Sequence, residues 1–101
     1  MPSYLKFLSG VVVPKVCIIA AAAMNARIEV GLPGDCLITS ANDKVHARGS
    51  RHYTDEALDL RTRDLKADQI QSWAKIIKRR LGKGFDVVIE SDHIHVEWDP
   101  Q

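Results

Sequence analysis

The feature that most constrains the fold is an alternation of polar and apolar residues near the end of the chain. Residues 93 to 98 read HIHVEW, and alternation with a period of two is typical of a strand that is buried on one face. It predicts a strand over residues 94–98, with His95 and Glu97, and His93 just before them, on one face and the apolar residues on the other. Because the polar segment 91–93 follows the β-rich run 85–90, the two strands are predicted to form a hairpin.

Two helices are predicted upstream of this hairpin. The run Lys15 to Ala26 is rich in alanine and long aliphatic residues, and it predicts a buried helix. Between Ala67 and Leu81 apolar residues recur at helical spacing, which predicts an amphipathic second helix. Either Thr62 or Asp64 can cap its start, and Gly82 can end it.

Two more strands complete the predicted fold. The short apolar run 36–39 favours one strand, and the polar stretch 42–52 that follows it favours a loop. The run 57–61 alternates, so its leucines are expected to face one side and Asp59 the other. We therefore expect a single α+β domain over 1–101, with a small, mostly antiparallel sheet flanked by two main helices.

Composition limits the classes of partner. A formal net charge of +1 gives no electrostatic reason to expect a nucleic acid. The two cysteines, Cys17 and Cys36, have apolar neighbours, which favours small buried residues over a disulfide framework.

The apolar stretch 11–24 is too short to span a bilayer. It loosely resembles a signal peptide. The preferred interpretation is nevertheless a protein that has no leader, is made in the cytoplasm and has no membrane partner. The sequence does not indicate an oligomeric state.

The predicted hairpin carries four titratable residues within six positions: Glu90, Asp92, His93 and His95. Packing does not explain such a group, so it is a candidate functional site. With a second imidazole and carboxylate upstream, the chain offers the ligand types of a catalytic zinc ion, which takes three protein ligands and leaves one position open.

His52 and Asp59 form this upstream pair. On one straight strand they would lie more than about 20 Å apart, so they share a metal only if the segment 53–56 folds back. In the alternative, His52 is a loop residue and Asp59 a solvent-facing strand residue, and the spacing alone slightly favours that alternative.

The upstream segment resembles a known motif. Ser50, His52, Ala57 and Asp59 match the S-x-H-x-x-G-x-A-x-D signature of the zinc D-Ala-D-Ala peptidases, which share a fold with the hedgehog signalling domain. The segment 92–95 resembles the closing motif of the same group, in which a carboxylate lies three residues before the last zinc histidine. The compact chain is most similar to phage-encoded members.

The resemblance implies a set of roles. His52, Asp59 and His95 would bind zinc on one face of the sheet. Asp92 would be the general base that takes a proton from the attacking water, and His93 would hydrogen-bond the substrate or the developing oxyanion. Glu90 is the competing candidate for the base.

The implied function is hydrolysis of peptide bonds in peptidoglycan stem peptides or cross-links, in phage lysis or wall remodelling. Two departures bear on activity: Asp55 replaces the signature glycine, and the arginine that many relatives carry shortly after Ser40 is absent, with Lys44, His46 or Arg48 as possible substitutes. The alternatives are a non-catalytic zinc-binding structural or interaction module of the same fold, and a metal-free binding domain with incidental histidines.

Overall fold

The protein folds as two helices and a four-stranded sheet. A computed structural model describes residues 14–41 and 57–99 of the 101. In chain order the elements are α1 (Lys15–Val30), β1 (Ile38–Ala41), β2 (Ala57–Arg61), α2 (Ala67–Leu81), β3 (Phe85–Ile89) and β4 (His93–Trp98). The expected α+β arrangement is confirmed, with strand order β1-β2-β4-β3 and every neighbouring pair antiparallel.

The register of the central strands separates an apolar face from a polar one. Leu58 lies opposite Val96, and Leu60 lies opposite Ile94; all four side chains are buried. Asp59, between the two leucines, and His95, between Ile94 and Val96, are only partly buried. The alternation expected for both strands is therefore confirmed, because successive residues of a strand point to opposite faces.

Both helices cover the apolar face. Ile19 and Ala23 of α1 join Trp73 and Ile77 of α2 in one core cluster with the buried residues of β2 and β4. The indole N–H of Trp73 donates a buried hydrogen bond to the carbonyl oxygen of Ala23 over 3.0 Å. The guanidinium of Arg27 lies 4.7 Å from the centre of the same ring. Trp73 thus joins the two helices directly.

The predicted bounds of α2 are confirmed, but the residue that caps its start differs from the prediction. Lys66, and not Thr62 or Asp64, occupies the N-cap position, and its backbone N–H donates to the side chain of Gln69 over 2.8 Å. Thr62 is instead buried, and its backbone N–H donates to the carbonyl oxygen of Asp92 over 3.2 Å. The end of β2 is therefore tied to the β3–β4 hairpin before α2 begins.

The first helix is longer and less buried than predicted. It continues past Ala26 to Val30 and ends at Gly31, whose φ of 78° suits glycine. Only one side of α1 packs on the sheet, so the expectation of two buried cysteines is wrong for Cys17, which is exposed; Cys36 is partly buried, and both thiols are free. Within residues 14–41 and 57–99, no helix has the length and apolarity to cross a membrane.

We predict that Trp73→Phe lowers the free energy of unfolding by at least about 1 kcal/mol, the net value of one hydrogen bond, with a further loss from contacts in the buried ring. Trp98→Phe removes the same atoms from a partly exposed ring and is the matched control, with a smaller expected loss. Denaturant unfolding measures both. Equal losses would contradict the role given to the bond between Trp73 and Ala23.

Candidate functional site

The polar face of the sheet brings Asp59 and His95 together. They are direct partners in the β2–β4 register, and side chains at such positions lie close enough to interact. The Asp59 Oδ1 atom is 2.7 Å from the His95 Nδ1 atom. Both side chains are partly buried, with 25% and 29% of their surfaces exposed. The two residues are 36 positions apart in sequence, so the sheet register alone makes them neighbours.

A second carboxylate holds the other side of the His95 ring. The His95 Nε2 atom is 2.7 Å from Glu97 Oε1, and Glu97 lies two positions along the same face of β4. Burial lowers the pKa of His95, but hydrogen bonds to Glu97 and Asp59 outweigh that effect and raise the pKa above its ordinary value. The ring is therefore fixed between two carboxylates in the protein without metal.

His93 extends this cluster towards the hairpin. Its Nδ1 atom is 2.7 Å from Asp92 Oδ1, and its Nε2 atom is 3.7 Å from Asp59 Oδ1. Hydrogen bonding to His93 is the main reason that the pKa of Asp92 is lowered, and the charge of Arg63 contributes further. Asp92 is consequently an ionised, exposed carboxylate at neutral pH, in contact with an imidazole.

Four of the six site residues predicted from sequence thus form one connected group: Asp59, Asp92, His93 and His95. Glu90 is exposed in the hairpin, where its backbone N–H donates to the carbonyl oxygen of His93 over 2.8 Å. His52 lies outside the described residues.

Both departures from the peptidase signature concern residues that the structure does not describe. Asp55 and the segment expected to fold back, 53–56, are outside the described residues, and so are Lys44, His46 and Arg48. The described part of the site therefore consists of what β2, β4 and the hairpin contribute.

The chemistry of the described pair fits the expected zinc ligands. An imidazole nitrogen and a carboxylate oxygen face each other, and zinc commonly binds both donor types. Histidine ligands usually donate their second ring N–H to a carboxylate, which orients the ring. Glu97 occupies that position here, on Nε2, while Nδ1 faces Asp59. His52 would have to supply the third ligand from outside the described residues.

Glu97 is the residue to which sequence reasoning gave no role. The strand alternation predicted that it shares a face with His93 and His95. Its contact with His95 could not be predicted from that alternation, because the contact depends on the conformations of both side chains. Glu97 also belongs to an acidic group with Asp86 and Asp99, in which carboxylate oxygens lie within 4.8 Å of one another. Such all-oxygen groups favour hard cations over zinc, and they are common on surfaces without an ion.

Comparisons of the chain with protein-family models, with curated proteins and with solved structures gave no match.

We predict that Glu97→Gln lowers the pKa of His95 in protein kept free of metal by a chelator, because a neutral amide stabilises the imidazolium less than a carboxylate does. An NMR titration of the His95 ring measures the change. Glu29→Gln removes the same charge from α1, where Glu29 binds Arg79 and Arg80, and should leave the His95 titration as it was. An unchanged His95 pKa in Glu97→Gln would show that Glu97 does not hold the ring.

Proposed function

We propose that this protein is a zinc-dependent peptidase that hydrolyses peptide bonds in peptidoglycan stem peptides or cross-links. The contact between Asp59 and His95 is the observation that carries the proposal. These are two of the three ligands that the resemblance to zinc D-Ala-D-Ala peptidases implies, and the antiparallel register of β2 and β4 makes them neighbours.

His52, Asp59 and His95 would hold the metal. Glu97 supports this assignment, since its contact with Nε2 leaves Nδ1 of His95 directed at Asp59. Zinc, when bound, would lower the pKa of a coordinated water towards neutrality and polarise the carbonyl group of the scissile bond.

Asp92 and His93 would handle the protons and the developing charge. Asp92 is an ionised carboxylate in contact with His93, and it would accept a proton from the water that attacks the carbonyl carbon. As the C–N bond breaks, Asp92 returns that proton to the leaving amine. His93, held by Asp92, would donate a hydrogen bond to the carbonyl oxygen as negative charge builds on it.

The proposed setting is phage lysis or remodelling of the bacterial wall. The protein would be made in the cytoplasm and would reach its peptidoglycan substrate after release. Neither a nucleic acid nor a membrane is a proposed partner.

A zinc-binding structural or interaction module is the second candidate. It is favoured by two sequence departures, Asp55 in place of glycine and the missing arginine after Ser40, since both fall where relatives build their catalytic centre. Zinc binding without cleavage of peptidoglycan peptides would identify it.

We predict that the purified protein binds one zinc ion, and that His52→Ala, Asp59→Ala and His95→Ala each lose it, because each removes one of three ligands. His93→Ala is the matched control and should keep the metal, since His93 is not among the ligands. Elemental analysis after dialysis measures the zinc content. Full zinc content in the His52 and His95 variants would refute the ligand assignment.

We predict that Asp92→Asn keeps zinc but lowers the rate of peptide cleavage by roughly 10²–10⁴-fold, the usual contribution of a general base. Mass spectrometry of digested peptidoglycan fragments gives the rate and the bond that is cut. The parallel variant Glu90→Gln should remain active. If the Glu90 variant is inactive and the Asp92 variant is not, Glu90 is the base.

A further inference from the structure

A small cavity adjoins the proposed catalytic residues on the polar face of the sheet. It has a volume of about 340 Å³ and is lined by Thr39, Arg61, Arg63, Asp92 and His93. The size is at the lower end of the range for small-molecule sites. Two guanidinium groups thus border the same space as the proposed base and its histidine partner.

Arg61 enters this cavity from β2. It is the register partner of His93 in β4, and its backbone N–H donates to the carbonyl oxygen of Leu37, the residue before β1, over 2.9 Å. Its backbone is therefore held on both sides. Its Nε atom is shielded from solvent and has no hydrogen-bond partner in the part of the chain that the structure describes. A shielded N–H of a cation without an acceptor is costly, and an anionic ligand would supply one.

Arg63 borders the cavity from the turn that follows β2. The intervening residue, Thr62, is tied to the hairpin by its bond to the carbonyl oxygen of Asp92. The two arginines are therefore held beside Asp92 by the backbone. Two guanidinium groups outnumber the single carboxylate of Asp92 in the cavity lining, so the cavity suits an anion.

The planar guanidinium group matches a carboxylate, because it presents two parallel N–H donors to the two oxygens. A peptide substrate has such groups at its C-terminus and on acidic side chains.

We propose that Arg61 and Arg63 bind a carboxylate group of the peptide substrate, next to the bond that is cut. This subsite rests on the proposed function, because its neighbours are the residues to which catalysis is assigned. A terminal carboxylate in it would make the enzyme a carboxypeptidase; a side-chain carboxylate would direct it to bonds beside an acidic residue.

Equilibrium binding of small probes to the full-length, zinc-loaded protein tests the subsite independently of turnover. N-acetyl-D-alanine and N-acetyl-D-alaninamide differ only in the terminal group, which is a carboxylate in the first and a neutral amide in the second. By isothermal titration calorimetry we expect the acid to bind about tenfold more tightly than the amide, as one charged hydrogen-bonded pair allows. The α-amide of N-acetyl-D-glutamate, whose one carboxylate is on the side chain, identifies which source of carboxylate is preferred.

Arg61→Gln and Arg63→Gln should each remove most of this preference. Lys83→Gln makes the same change in charge at the other end of β3, about 15 Å or more from the hairpin turn. This variant should keep the preference for the acid. Arg63 is exposed, so its variant keeps the test valid even if Arg61→Gln unfolds. Equal binding of acids and amide by the wild-type protein, or a preference that survives both arginine substitutions, would overturn the subsite.

Cleavage of matched peptides separates this inference from the proposed function. In one outcome, peptides with a free and with an amidated C-terminus are cut equally well, and the protein binds the acidic probes no more tightly than the amide. The protein would then be a peptidase without this subsite. If no peptide is cut but Arg61 and Arg63 still determine binding of the acidic probes, the subsite stands and the peptidase function fails.

Discussion

The structure depends on the antiparallel register between β2 and β4. This pairing sets Leu58 and Leu60 against Val96 and Ile94 on the buried face, and the same register sets Asp59 against His95 on the other. A slip of one residue would turn every side chain of a strand to the opposite face, exposing leucines and burying a carboxylate. Burial of the core therefore fixes the geometry of the site, and no separate device is needed to bring aspartate and histidine together.

The chemistry of the site follows from what lies around this pair. Glu97 engages the far side of the His95 ring, and Asp92 engages His93, so each histidine has a carboxylate that fixes its orientation. The bond from Thr62 to Asp92 then ties the end of β2 to the hairpin. Asp59, His95, Asp92 and the two arginines consequently share one framework of paired strands.

Local patterns in the sequence predicted much of this arrangement. Period-two alternation gave the correct faces for His95, Glu97 and Asp59, and helical spacing gave α2 with its bounds. The register could not be derived in that way, because pairing between residues 36 positions apart depends on tertiary packing. The exposure of Cys17 and the choice of Lys66 as the cap of α2 could not be predicted in that way either. Apolar neighbours surround buried and exposed residues alike, and tertiary packing overrides local preferences. The catalytic roles came from the resemblance alone.

The central claim is that zinc binds between the partners which this register creates. Anomalous diffraction at the zinc absorption edge, from crystals of the zinc-loaded protein, tests it most directly. We expect one strong peak, with the metal at about 2.0–2.2 Å from both Nδ1 of His95 and a carboxylate oxygen of Asp59, and with His52 as the third protein ligand. A peak among Asp86, Glu97 and Asp99 with none beside His95, or no peak at all, would contradict it.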